Sequence, residues 1–146
     1  MLPDKDRAAR NADLLVLIMA TAAGLYILVA ALVTFGRPNL ARDPDLIPLF
    51  FLTFVGISSL NIGVLVFFHR SKRVLAARAE YDPLGRAYLI CQIGAILSEA
   101  HSIYGLILTI LSGSIYYILG FSVITWSTLF WVRARFKRSW ENLSNR

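Results

Sequence analysis

The chain has 146 residues, of which 57% are hydrophobic and only 16% charged, with a formal net charge of +6 and a single cysteine. A core of this size cannot hide so much apolar surface, so the composition excludes an ordinary water-soluble domain and points to an integral membrane protein. Cys91 has no partner for an intrachain disulfide and is expected to pack as a small apolar group.

A bilayer core about 30 Å thick needs roughly 20 apolar residues of helix. The first such run, residues 13–35, follows Lys5, Arg7 and Arg10. It exceeds the roughly 7–15 apolar residues of a secretory signal and so reads as a retained membrane helix, with Asn11 or Asp13 as its cap. Ala20, Ala23, Gly24, Ala31 and Thr34 give it a face of small residues, expected to pack on the third helix. The second run, residues 46–68, has Asp45 placed as a cap and Pro48 in its first turn. A basic amphipathic connection, residues 69–87, contains "HRSKRVLAARAE" and ends at Asp82-Pro83, which leads the chain back into the membrane.

The third run, residues 88–111, and the fourth, residues 114–132, are separated only by "LSGSI", where Ser112, Gly113 and Ser114 can close a tight helical hairpin. Tyr116, Tyr117, Trp126 and Trp131 on the fourth read as packing or interfacial aromatics. A basic tail, residues 133–146, carries "RARFKRSW" with Phe136 and Trp140 placed for the interface. The expectation is one domain: an all-α, four-transmembrane-helix bundle.

Three Lys or Arg residues precede the first helix, two lie in the 1–2 link (Arg37, Arg42), five in the 2–3 connection and five after the fourth helix. The positive-inside rule then puts both termini and the 2–3 connection in the cytoplasm, with a bacterial inner (cytoplasmic) membrane as the expected host. Because the cations cluster at helix ends, their expected partners are the lipid bilayer and its anionic headgroups rather than nucleic acid. The sequence has no Gly-rich phosphate loop, no CxxC, no HExxH and no triad, so neither catalysis nor a bound metal or organic cofactor is expected.

One acid interrupts the apolar pattern. Counted from Tyr88, Glu99 lies roughly 16 Å into a core about 30 Å thick, close to the midplane. An ionised side chain there costs on the order of 3 kcal/mol on insertion scales, so the chemistry open to Glu99 is to take up and release a proton or to hold a cation. Cys91, Gly94, Ser98, Ser102, Gly105 and Thr109 form a stripe of small residues on one face of the third helix. Glu99 stands at one edge of that stripe, with Gln92 at i−7 and Ser102 at i+3. His101 stands at the other edge, about 200° away, too far round to pair with it. Ser58, Gly24, Tyr26 and Ser122 fall near the depth of Glu99, and Asn61 nearer the cytoplasm. The candidate ion-binding set is therefore Glu99, Ser102, Gln92 and Ser58, with His101, Tyr26, Asn61 and Ser122 as polar partners. Gly94, Ser98, Gly105, Ala20 and Gly24 are the packing residues.

The stretch "ILSEAHSIYGLILTIL" resembles the carboxylate-bearing helix of the proteolipid, or c, subunits of rotary ATPases, through Glu99, Ala100, Ile103, Tyr104, Gly105 and Leu106. The resemblance covers about residues 88–111. It implies that Glu99 binds a translocated proton or sodium ion, and that its helix leaves the cytoplasmic side. A second reading is open: an accessory subunit of a larger membrane complex or a homo-oligomer, in which Glu99 and His101 serve as interhelix polar contacts.

Overall fold

The computed structural model describes residues 5–36, 45–70 and 83–144. They form four helices: α1 Lys5–Gly36, α2 Leu46–Arg70, α3 Pro83–Ser112 and α4 Tyr116–Ser144. The 1–2 link, residues 71–82 of the basic connection and residues 145–146 lie outside the described residues.

Local chemistry accounts for the helix ends. α2 starts directly after Asp45, and α3 starts on Pro83, a residue whose missing N–H costs nothing in a first turn. The expected caps of α1 need correction: the helix begins at Lys5, so Asn11 and Asp13 lie inside it. Asp13 instead accepts a 2.7 Å hydrogen bond from Nε of Arg133 on α4. Between α3 and α4, Gly113 adopts φ 68°, a left-handed conformation that suits glycine. Its N–H donates to the Thr109 carbonyl at 2.7 Å. The Thr109 hydroxyl accepts from Ile118 N–H at 3.1 Å and so covers an orphan donor in the first turn of α4.

α3 is the central element. It packs on α1, α2 and above all α4, while α1 also touches α4. The small-residue stripe explains the close α3–α4 approach. A Cβ at Gly94 would lie 2.9 Å from both γ-carbons of Val132, and one at Gly105 would lie 2.8 Å from Phe121 Cβ and 2.9 Å from Ile118 Cα. Ser98 is buried and returns its hydroxyl to the Gly94 carbonyl at 2.8 Å. On α1, Ala23 and Ala30 are fully buried, and the Ala20 carbonyl accepts from Trp126 Nε1 at 3.2 Å. Gly24 is a correction, because a Cβ there meets nothing within 4 Å. The close contacts of α1 come from its alanines.

The contacts of Asp13 with Arg133, of Gly94 with Val132 and Leu65, and of Phe51 with Tyr117 fix an antiparallel order. The start of α1, the end of α2, the start of α3 and the end of α4 therefore share one end of the molecule. The described basic side chains gather there: Arg7, Arg10, His69, Arg70, Arg86 and the run Arg133–Arg138. Residues 133–144 continue α4 rather than forming a separate tail, with Phe136 buried beside Trp140 and the charges turned outward.

The opposite faces of α1 and α2 leave Leu17, Leu25, Leu32, Phe35, Leu52 and Leu60 exposed. Such continuous apolar surface requires a nonaqueous surrounding or a partner. Arg7–Gly36, Leu46–Arg70 and Gly85–Ser112 are long and apolar enough to cross a membrane. α4 is long, but it is richer in hydroxyls and does not reach the same apolar content. The chain is an all-α, membrane-embedded protein.

Candidate functional site

Helical periodicity gives α3 three flanks. Its stripe faces α4, its Tyr104 flank faces α2 through a stack on Phe54 (centroids 5.0 Å apart, planes 8° apart), and its Glu99 flank faces α1. Glu99 Oε1 accepts a 3.0 Å hydrogen bond from the Tyr26 hydroxyl of α1. The acid is half-buried, and Ile96 and Ile103 beside it are exposed, as is Ile110 about three turns further along the same flank. Glu99 therefore stands at the seam between the α1–α3 contact and the outer apolar surface.

Of the residues grouped with Glu99 by sequence, the structure brings Tyr26 to it. Gln92 is half-buried two turns nearer the basic end, on the same side of α3. Ser102 turns away, and its hydroxyl donates to Thr125 Oγ1 of α4 at 2.7 Å. Thr125 in turn donates to the Phe121 carbonyl at 3.1 Å, so this pair ties α3 to α4. Ser58 does not bond to Glu99 either, and its buried hydroxyl has no hydrogen-bond partner among the described residues. The registry shows where it goes: Leu65 abuts Gly94, and Ser58 and His101 each lie two turns from that contact in antiparallel helices, hence at one level. Asn61, also buried, sits one turn nearer the basic end.

His101 is fully buried, and among the described residues neither of its ring nitrogens has a hydrogen-bond partner. Its ring contact is within α3, stacked on Tyr104 at 6.3 Å. The Ser122 hydroxyl on α4 is likewise buried with no partner among the described residues. α3 thus carries a hydrogen-bonded carboxyl on its α1 flank and separate buried polar groups on the other side. Among the described residues no group of three His, Cys, Asp or Glu side chains could hold a metal ion.

The Tyr26–Glu99 bond yields a bounded prediction. Interhelix hydrogen bonds in membranes average about 0.6 kcal/mol and reach about 1.7. Tyr26→Phe should therefore lower thermal stability only slightly while releasing the Glu99 carboxyl from its phenol. Unfolding of this variant in mild detergent would mean that the hydroxyl holds far more than one contact.

No family model, curated protein or solved structure matches the chain. What fold and site define together is a class: a membrane-embedded helical protein with one acid at the edge of its central helix.

Proposed function

We propose that the chain is an integral membrane protein in which Glu99 reversibly holds a proton or a small monovalent cation at mid-membrane, the role implied by the proteolipid-like stretch around it. The carrying observation is the place of the acid. A carboxyl used only as internal glue is best enclosed on all sides, whereas Glu99 is held through one oxygen by Tyr26 and borders the exposed strip of Ile96, Ile103 and Ile110. An ion or a second subunit can reach it along that seam. The working site is Glu99 and Tyr26, with Gln92 on the side of the basic end.

In this reading α4 crosses the membrane with α3, because its contacts follow α3 from Gly105 to Gly94 and its hydroxyls Ser122 and Thr125 are buried. The basic end faces the cytoplasm, in a bacterial inner membrane. Asn11→Cys and Tyr116→Cys, both at exposed positions of opposite ends, should then react with an impermeant thiol reagent from opposite sides in a Cys91→Ser background. Labelling from one side would end this topology.

The ion site is tested with a hydrophobic carbodiimide, which attacks protonated carboxyls in apolar surroundings. The folded wild type should be modified once, at Glu99. Protection by sodium identifies sodium as the ion, and modification governed by pH alone identifies the proton. Folded protein that stays unmodified removes the ion-site reading. A second reading rests on the same hydrogen bond: the exposed faces of α1 and α2 are covered by other subunits, and Tyr26–Glu99 is a structural contact.

A further inference from the structure

Within residues 14–36, 46–68, 87–112 and 114–132 the only carboxyl is that of Glu99. The titratable group that faces it from α1 is Tyr26. Residues 46–68 of α2 and 118–132 of α4 carry no titratable side chain, and on α3 itself His101 stands about 200° round the helix while Tyr104 faces α2. The oxygens joined at this point are the carboxyl pair and the Tyr26 hydroxyl. Ser102 is drawn away to Thr125, and Ser98 returns its hydroxyl to its own helix. The surround is otherwise hydrocarbon: Ile96 and Ile103 on α3 are exposed, and so is Val29, three residues along α1 from Tyr26. Glu99 thus sits in an apolar seam open from the side, not in a cage of oxygens.

We infer that the cation which exchanges with the proton of Glu99 is a lipophilic organic cation, of the quaternary ammonium or phosphonium type, reaching the carboxylate sideways from the bilayer along the Ile96–Ile103 seam. The inference rests on the reading of Glu99 as a reversible site and names the class of cation that the site takes. A bare sodium ion gives up its hydration shell for a ring of oxygens, and Glu99 with Tyr26 does not make one. A quaternary cation carries its own hydrocarbon shell, and its charge is spread over a large radius, so it enters apolar surroundings at far smaller cost than a compact ion. Its carbon groups then lie against isoleucine and valine, which a hydrated ion cannot use. Charge supplies the selectivity, because a carboxylate attracts a cation far more strongly in a low dielectric than in water, whereas a neutral molecule of the same shape gains nothing over lipid. Binding breaks the O–H bond of the carboxyl, the proton leaves to water, and the carboxylate pairs with the cation, so the net charge of the seam does not change.

The test uses the full-length protein in mild detergent, with tetraphenylphosphonium as the probe and triphenylphosphine oxide as its neutral counterpart. Tetraphenylphosphonium should bind saturably, release protons into weakly buffered solution as it binds, bind more weakly as the pH falls, and slow carbodiimide modification of Glu99. Triphenylphosphine oxide, and sodium at the same concentration, should not slow it. Glu99→Gln should weaken phosphonium binding by at least about tenfold, and Glu99→Asp should retain it. If the glutamine variant does not fold, Ile96→Ala with Ile103→Ala, both at exposed positions, keeps the carboxyl and removes the apolar wall. That pair should weaken phosphonium binding by about fivefold while carbodiimide still labels Glu99. Labelling that sodium slows and phosphonium does not, or phosphonium binding undiminished in Glu99→Gln, overturns the organic cation and leaves Glu99 as a site for a proton or sodium. Folded protein that carbodiimide never labels overturns both readings.

Discussion

Replacing Gly105 with leucine is expected to remove nearly all folded protein from the membrane fraction. The first added atom already fails to fit: a Cβ at this position lies 2.8 Å from Phe121 Cβ, 2.9 Å from Ile118 Cα and 3.1 Å from the Tyr117 carbonyl oxygen. The last two contacts are backbone, so no rotamer change relieves them. Nor can α4 simply withdraw, because the hairpin one turn away is pinned through Thr109, which binds both Gly113 and Ile118. Alanine alone should cost about 1–3 kcal/mol as an overpacked site, and leucine must separate the helices. Gly94→Ala meets the γ-carbons of Val132 at 2.9 Å, and a valine in a helix has little rotamer freedom with which to move them. Gly24→Leu is the matched control and should fold normally, since the space beside Gly24 is open. Yield and melting temperature of the monodisperse protein in mild detergent decide the matter. Gly105→Leu and Gly24→Leu surviving equally would mean that α3 and α4 do not pack as described.

The contrast between these glycines marks what can be read from sequence. Periodicity placed Gly94, Ser98, Ser102, Gly105 and Thr109 on one face because a single helix repeats every 3.6 residues whatever surrounds it. It could not say which neighbour that face meets: the stripe meets α4 closely, and α1 brings alanines rather than Gly24. The hairpin was legible because "LSGSI" offers a glycine where the turn needs a positive φ. The starts of α1 and α3 and the end of α4 were not, because a bilayer-thickness argument counts apolar residues, whereas a helix continues until its backbone chemistry stops it. Residues 133–144 show the same thing, their alternation of Phe136 and Trp140 with cations being an amphipathic helix rather than a tail.

Side-chain partnership was the least legible layer. Depth arithmetic put Tyr26, Ser58 and Ser122 at one level, but rotation about each helix decides which of them meets Glu99, and rotation is fixed by packing. Tyr26 is at the right angle. The i+3 spacing of Ser102 points it towards Glu99, yet the close approach of α4 gives its hydroxyl a partner in Thr125. The aromatic stack of His101, Tyr104 and Phe54 had no sequence signal beyond the presence of rings on two helices.

Replacing Glu99 with glutamine is expected to leave the fold intact and to remove any proton or cation dependence of the protein's behaviour in its native membrane. Glutamine keeps the length and branching of the side chain, and its amide oxygen still accepts from the Tyr26 hydroxyl in the place of Oε1. Packing at the α1–α3 seam should therefore survive, and the melting temperature should stay within the small range expected for Tyr26→Phe. What glutamine cannot do is exchange a proton or give its charge to a cation. Carbodiimide labelling should disappear with the carboxyl, and so should any stabilisation by sodium or by pH. Glu99→Asp separates charge from reach: it retains an ionisable group but draws it back by one methylene, lengthening the 3.0 Å contact with Tyr26. It should keep ion dependence with altered affinity. If Glu99→Gln retains full activity together with unchanged stability, the carboxyl is a contact between helices or subunits and the ion-site proposal fails. If Glu99→Gln and Glu99→Asp are both folded, and only the aspartate responds to protons or sodium, the titratable oxygen at the edge of α3 is the functional atom.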